Sequence, residues 1–254
     1  MRVSRQRKLR RGIYLLPTLF TIGNLLCGFT AIVMSFRGEI GRAALFIIFA
    51  GVLDLFDGRI ARMTGTTSEF GSEFDSLSDI VSFGVSPAML AYAWVLESFG
   101  RIGWMVAFLF VICAAMRLAR YNIRAQRGER RHFVGLSSPV AAGSMAAVAF
   151  AFPAKPAVDS PAALPLLLLV ATLALLMVSR FRYRSFKDLG LLDRRSYMNV
   201  LPLAVAMIGI FFWPRWAMLV IAGTYLLSAP AVSVVHVFSR TGSRKDVSGE
   251  SVDG

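Results

Sequence analysis

The chain has 254 residues, 56% of them hydrophobic and 17% charged, with apolar runs near the ~20 residues that cross a bilayer. Its longest polar stretches, residues 1–12, 123–138, 180–197 and 239–254, are too short for a separate soluble domain. A net charge of +13 raises the question of nucleic acid, but the Lys and Arg residues cluster beside apolar runs, as in cytoplasmic loops of membrane proteins, and no nucleic-acid partner is expected.

The basic start "MRVSRQRKLRR" leads into an apolar run from Ile13 to Phe36. That run exceeds the ~7–15 residues of a signal-peptide core and predicts a first spanning helix. Further spans are predicted at 41–63, 72–98, 101–122, 138–154, 160–179, 198–213 and 215–237. The expected fold is therefore all-α, a polytopic integral membrane bundle of about eight transmembrane helices. Residues 1–238 form one membrane-embedded domain in this reading, and the polar, Gly/Ser-rich segment 239–254 is a disordered cytoplasmic tail. Gly or Pro in "RGEIGR", "FPAKPAVDSPAA" and "WPR" marks the outer connections.

With the N-terminus in the cytoplasm, 23 of the 28 Lys and Arg residues fall on inner segments. The other five, Arg37, Arg42, Arg101, Lys155 and Arg215, fall outside. The positive-inside rule then places both termini in the cytoplasm and the chain in the cell (inner) membrane as a multi-pass protein. Cys27 and Cys113 sit in apolar runs without metal-ligand spacing and read as reduced core thiols. His132 and His236, at membrane edges without a triad partner, are assigned no chemistry.

Between spans two and three the sequence reads "DLFDGRIARMTGTTSEFGSEFDSLSDIVSFG". Asp54, Asp57 and Ala61 share a helical face, as do Asp75 and Asp79 four residues apart. The turn "MTGTTSEFG" brings the two helices back antiparallel at one level near the cytoplasmic surface. Four aspartates inside lipid would cost on the order of 10 kcal/mol unless compensated. Two divalent cations with oxygen ligation, Mg or Mn, would balance the four charges, and a diphosphate supplies oxygens that bridge such a pair. Gly58 and Ala61 leave room for a phosphate-bearing group against the helix, and Arg62 can clamp its oxygens. The pattern points to metal-assisted phosphoryl transfer. Two other readings compete with it: solvated or Arg-paired acids without chemistry, and a divalent cation transporter, whose acids would line the midplane of two related halves.

The same residues carry a resemblance. Asp54, Asp57, Gly58, Ala61, Arg62, Gly71, Asp75 and Asp79 fit D-x2-D-G-x2-A-R-x8-G-x3-D-x3-D without a gap, which resembles the signature of the CDP-alcohol phosphatidyltransferase family. The resemblance implies two divalent ions, with Asp54 and Asp75 bridging both, Asp57 on one, and Asp79 assisting and serving as general base toward the incoming alcohol. It places Gly58, Arg62 and Ser68 against the CDP-linked lipid, makes Thr21 and Asn24 plausible nucleotide contacts, and suggests a homodimer. The segments "PTLFTIGNLLCGF", "FDSLSDIVSFGVSPA", "RLARYN", "FVGLSSPVAAG" and "RYRSFKDL" resemble the bacterial branch that uses L-serine. The implied reaction is displacement of CMP from CDP-diacylglycerol by the serine hydroxyl; choline, glycerol 3-phosphate or inositol as acceptor remains open. Arg117 and Arg120, at the inner end of span four, are expected either to hold a phosphate or the serine carboxylate or to anchor that end at the lipid phosphates. Arg180, Arg182, Arg184 and Lys187 read as an interfacial stretch beside anionic lipid.

Overall fold

The computed structural model describes residues 2–64, 68–126, 135–156 and 160–179, together with 212, 215–220 and 222–224. The regular elements among the described residues are all helical, with no strand among them. Most of predicted spans seven and eight, the tail 239–254, His132, His236 and the basic stretch 180–187 lie outside the described residues.

Helix α1 (Arg2–Phe36) ends at a turn in which Gly38, at φ 74°, donates its N–H to the Ser35 carbonyl while Glu39 donates to Met34. Only glycine takes that left-handed conformation without cost, so the chain reverses there into α2 (Ile40–Thr64). The two helices pack along a seam of small residues, with Ala31, Ala43, Ala44 and Ala50 buried, which lets the backbones approach closely.

The third predicted span is not one uniform helix. Helix α3 (Glu69–Asp79) runs into a π turn (Ile80–Val85), then α4 (Ser86–Trp94) and a 3₁₀ turn (Leu96–Phe99). Pro87, in the first turn of α4, has no N–H and its ring crowds the carbonyl four residues back, so the preceding turn opens from α to π geometry. Ser86 then donates its N–H to the Val81 carbonyl.

Helix α5 (Arg101–Gln126) packs on the π turn and on α7 (Ala163–Val178), while α6 (Ser138–Ala151) packs on α2. The buried core combines Trp94, Phe83 and Phe110 with alanines of every layer. At 14 residues α6 is about 21 Å long at ~1.5 Å per residue, shorter than the ~30 Å hydrocarbon layer. Two described helices, Thr18–Phe36 and Arg101–Arg124, are long and apolar enough to cross a membrane. Both leave large apolar side chains uncovered, among them Leu19, Ile22, Leu26 and Phe29 on α1 and Trp104, Met105 and Phe108 on α5. Such stripes suit lipid as their surround.

Candidate active site

The C-terminal half of α2 carries Asp54 and Asp57, and α3 carries Asp75 and Asp79. Carboxylate oxygens of Asp54, Asp75 and Asp79 lie within 4.8 Å of one another. Asp57 stands beside this trio: it is buried, acts electrostatically on Asp54 and Asp75, and accepts a hydrogen bond from the Thr21 hydroxyl. The ion pairs found among the described residues, Arg42 with Glu39 and Lys155 with Glu97, do not involve these aspartates. Arg117 is close enough to Asp79 to act on its charge.

Helix α1 supplies the polar contacts that hold this cluster. Asn24, fully buried, donates from Nδ2 to Asp79 Oδ1 at 3.4 Å. The main chain of the same α1 residues is used as well: Ser78 donates its hydroxyl to the Thr21 carbonyl at 3.2 Å, and Ser82 to that of Asn24 at 3.0 Å. Ser86 completes the series at the Gly28 carbonyl, 2.6 Å away. Four residues overshoot an α-helical turn by about 40°, so serines at that spacing drift around a helix; the wider π turn drifts the other way and keeps all three against α1. Gly28 permits the approach, since a Cβ there would lie 2.5 Å from Ser82 Oγ and 2.8 Å from its Cα.

The cluster fits divalent cations. Three carboxylates converge with Asp57 beside them, and Asp75 Oδ1 is buried without a hydrogen-bond partner among the described residues. A buried carboxylate oxygen left in that state calls for a ligand that accepts its lone pairs. The family comparison agrees: the CDP-alcohol phosphatidyltransferase family matches residues 14–183. The chain belongs to this family. Family members depend on divalent cations, and the aspartate cluster is where this chain would hold them.

Similar proteins narrow the comparison. The CDP-diacylglycerol--serine O-phosphatidyltransferase of Helicobacter pylori (strain ATCC 700392 / 26695) is 35% identical over 215 residues, covering 85% of this chain and 89% of the relative. The enzyme of the same name from Bacillus subtilis (strain 168) is 36% identical over 174 residues, covering 68% of this chain and 91% of the relative. An archaetidylserine synthase from Methanothermobacter thermautotrophicus is 39% identical over 129 residues, half of this chain and 54% of that protein.

The other residues singled out in the sequence fall into three groups. Gly58 is exposed on α2 directly after Asp57, whereas the side chains of Ala61 and Arg62 lie outside the described part of the structure. Ser68 caps α3: its hydroxyl accepts the Gly71 N–H at 3.0 Å, and a Cβ on Gly71 would press on that oxygen. Arg117 donates to Ser138 Oγ at 3.0 Å and Arg120 to the Val178 carbonyl at 3.3 Å. Arg120 therefore closes the C-terminal end of α7, where a cation suits the free carbonyls, while Arg117 stays at the level of Asp79. Ser78, Ser82 and Ser86 were not foreseen as part of the site, although their four-residue spacing in an apolar run was a readable sign. The link from Asn122 Nδ2 to Ser76 Oγ, 3.0 Å, had no such sign in the sequence.

Proposed function

We propose that this protein transfers the phosphatidyl group of CDP-diacylglycerol to the hydroxyl of L-serine, forming phosphatidylserine and releasing CMP. The observation that carries the proposal is the convergence of Asp54, Asp75 and Asp79 from two helices, in a chain whose relatives' names vary in the lipid and share serine. Asp79 is the general base. It takes the proton from the serine hydroxyl, the serine oxygen attacks the phosphorus that bears the diacylglycerol, and the bond from that phosphorus to the CMP oxygen breaks. Two divalent cations, Mg or Mn, held by Asp54, Asp57, Asp75 and Asp79, supply charge neutralisation of the diphosphate and of the departing CMP. Gly58, Ala61, Arg62, Ser68 and Gly71 border the CDP-linked lipid in this proposal. Arg117, facing Asp79, is better placed for the serine carboxylate than Arg120, whose guanidinium serves α7.

The setting belongs to the same proposal. Residues 1–238 form one domain of about eight spans in the cell membrane, with both termini and the active site on the cytoplasmic side and 239–254 as a polar tail. The skew of Lys and Arg toward one set of connections supports that orientation. The acyl chains stay in the bilayer while the head group reacts at its surface, and the protein works as a homodimer, as the family resemblance implies.

The test is CMP release by the purified full-length protein in detergent, with CDP-diacylglycerol, a divalent metal, and serine, choline, glycerol 3-phosphate or inositol in separate reactions. Release with serine alone is expected. Release only with another alcohol would move the acceptor while keeping the site, and no release with any of the four would overturn the phosphatidyltransferase reading.

A further inference from the structure

The structure assigns to Asn24 the role of a positioning residue for Asp79: it fixes which carboxylate oxygen faces the incoming hydroxyl. The inference rests on the proposed role of Asp79 as base. Asn24 is fully buried and makes two contacts here, with Nδ2 on Asp79 Oδ1 at the end of α3 and its main-chain carbonyl accepting the Ser82 hydroxyl of the π turn. Ser82 lies three residues beyond Asp79, in the π turn. One α1 residue thus grips both the carboxylate and the backbone that carries it.

The chemistry of an amide sets the direction of this grip. Only Nδ2 can donate to a carboxylate; rotated by half a turn, the amide would set its own oxygen against Asp79, two acceptors in a buried space. With Oδ1 of Asp79 held by Asn24, the carboxylate keeps one orientation relative to Asp54 and Asp75, and the position of the oxygen that accepts the serine proton is fixed with it. A base that must meet a hydroxyl within about 3 Å gains from such fixation, because the alternative rotamers do not react.

The test compares Asn24→Asp and Asn24→Ala with wild type in the full-length, detergent-solubilised protein, supplied with CDP-diacylglycerol, serine and Mn²⁺. Asn24→Asp keeps the shape and loses the donor. Size-exclusion profile, melting temperature and direct CDP-diacylglycerol binding establish that each variant is folded. Expected is a fall in kcat of about 100-fold in both variants, the scale of a lost proton-transfer contribution, with KM for each substrate within about threefold. A kcat within about threefold of wild type in a folded variant overturns the inference, as does a raised KM and dissociation constant for CDP-diacylglycerol at unchanged kcat, which marks a nucleotide contact instead. Asp79→Asn separates the two levels of the argument. If it turns over like wild type, the base assignment fails and takes this inference with it; if it is inactive while Asn24→Asp is active, this inference alone fails.

Discussion

Thr21 of α1 donates its hydroxyl to the Asp57 carboxylate of α2, while its main-chain carbonyl accepts the Ser78 hydroxyl of α3. One residue therefore ties together the two helices that bear the aspartates. A hydrogen bond to a buried carboxylate contributes about 1.5–3 kcal/mol, so this contact holds the site in shape as well as the fold. Thr21→Val keeps the volume and removes the donor. The expected outcome is a loss of Mn²⁺ affinity of about 10-fold, the scale seen when a partner of a metal ligand is removed. Titration followed by the Mn²⁺ paramagnetic resonance signal measures it, and unchanged affinity would detach Thr21 from the metal site.

Asp79→Asn is expected to reduce CMP release by at least about 100-fold, because the amide accepts no proton at the moment of attack. The substitution preserves shape, so the melting temperature stays close to that of wild type. Wild-type turnover in this variant would remove Asp79 as the base.

Charge repulsion within the cluster makes a separate prediction. Without metal, Asp54, Asp75 and Asp79 crowd one another at 4.8 Å or less in a partly dehydrated space. In EDTA, Asp75→Asn should therefore melt higher than wild type. With saturating Mg²⁺ or Mn²⁺ the order should reverse, since wild type gains the larger binding contribution, about 2.7 kcal/mol at 100 times the dissociation constant. Thermal melts of the two proteins in EDTA and in metal check both halves, and chelation should abolish CMP release in either.

Gly28→Ala places a methyl group 2.5 Å from Ser82 Oγ and 2.8 Å from Ser82 Cα. A rotamer change relieves the first contact but not the second, so α1 and the π turn must separate. The expected loss is about 1–3 kcal/mol, the usual range for overpacking, together with reduced kcat as Asn24 draws back from Asp79. Ser82→Ala, which removes one hydrogen bond and adds no bulk, should cost less, about 1 kcal/mol. Equal melting temperatures for Gly28→Ala and wild type would show that the helices have room to spare.

The aspartates could be read from sequence because their chemistry leaves a local trace: four charges at helical spacing in an apolar chain. Helix positions followed from the same kind of signal, with 41–63 and 101–122 expected against Ile40–Thr64 and Arg101–Gln126 found. The π turn did not follow, because a reading by length and hydropathy runs straight through Pro87 and counts residues 72–98 as one span. The partners of Thr21 and Asn24 were out of reach for a different reason. They lie 36 and 55 residues away along the chain, and only the packing of α1 against α2 and α3 decides which carboxylate each meets. Arg117 and Arg120 look equivalent in sequence, three residues apart at one helix end, yet one turns to Ser138 and the other to the last turn of α7.

A π turn holds one residue more than the α turn it replaces. The stretch from Ile80 to Val85 therefore behaves as a single-residue insertion, and deleting any one of its residues would let the helix close as α. That closure would leave the flanking faces nearly in phase, because the wider turn advances less per residue; wound as α with all its residues kept, the stretch would instead rotate everything on the N-terminal side by about 100° relative to α4, carrying Asp75 and Asp79 off the face that meets α1. The angular phase of the active site is thus set by the width of one turn, and tightening that turn would swing the aspartates away without altering a single one of them.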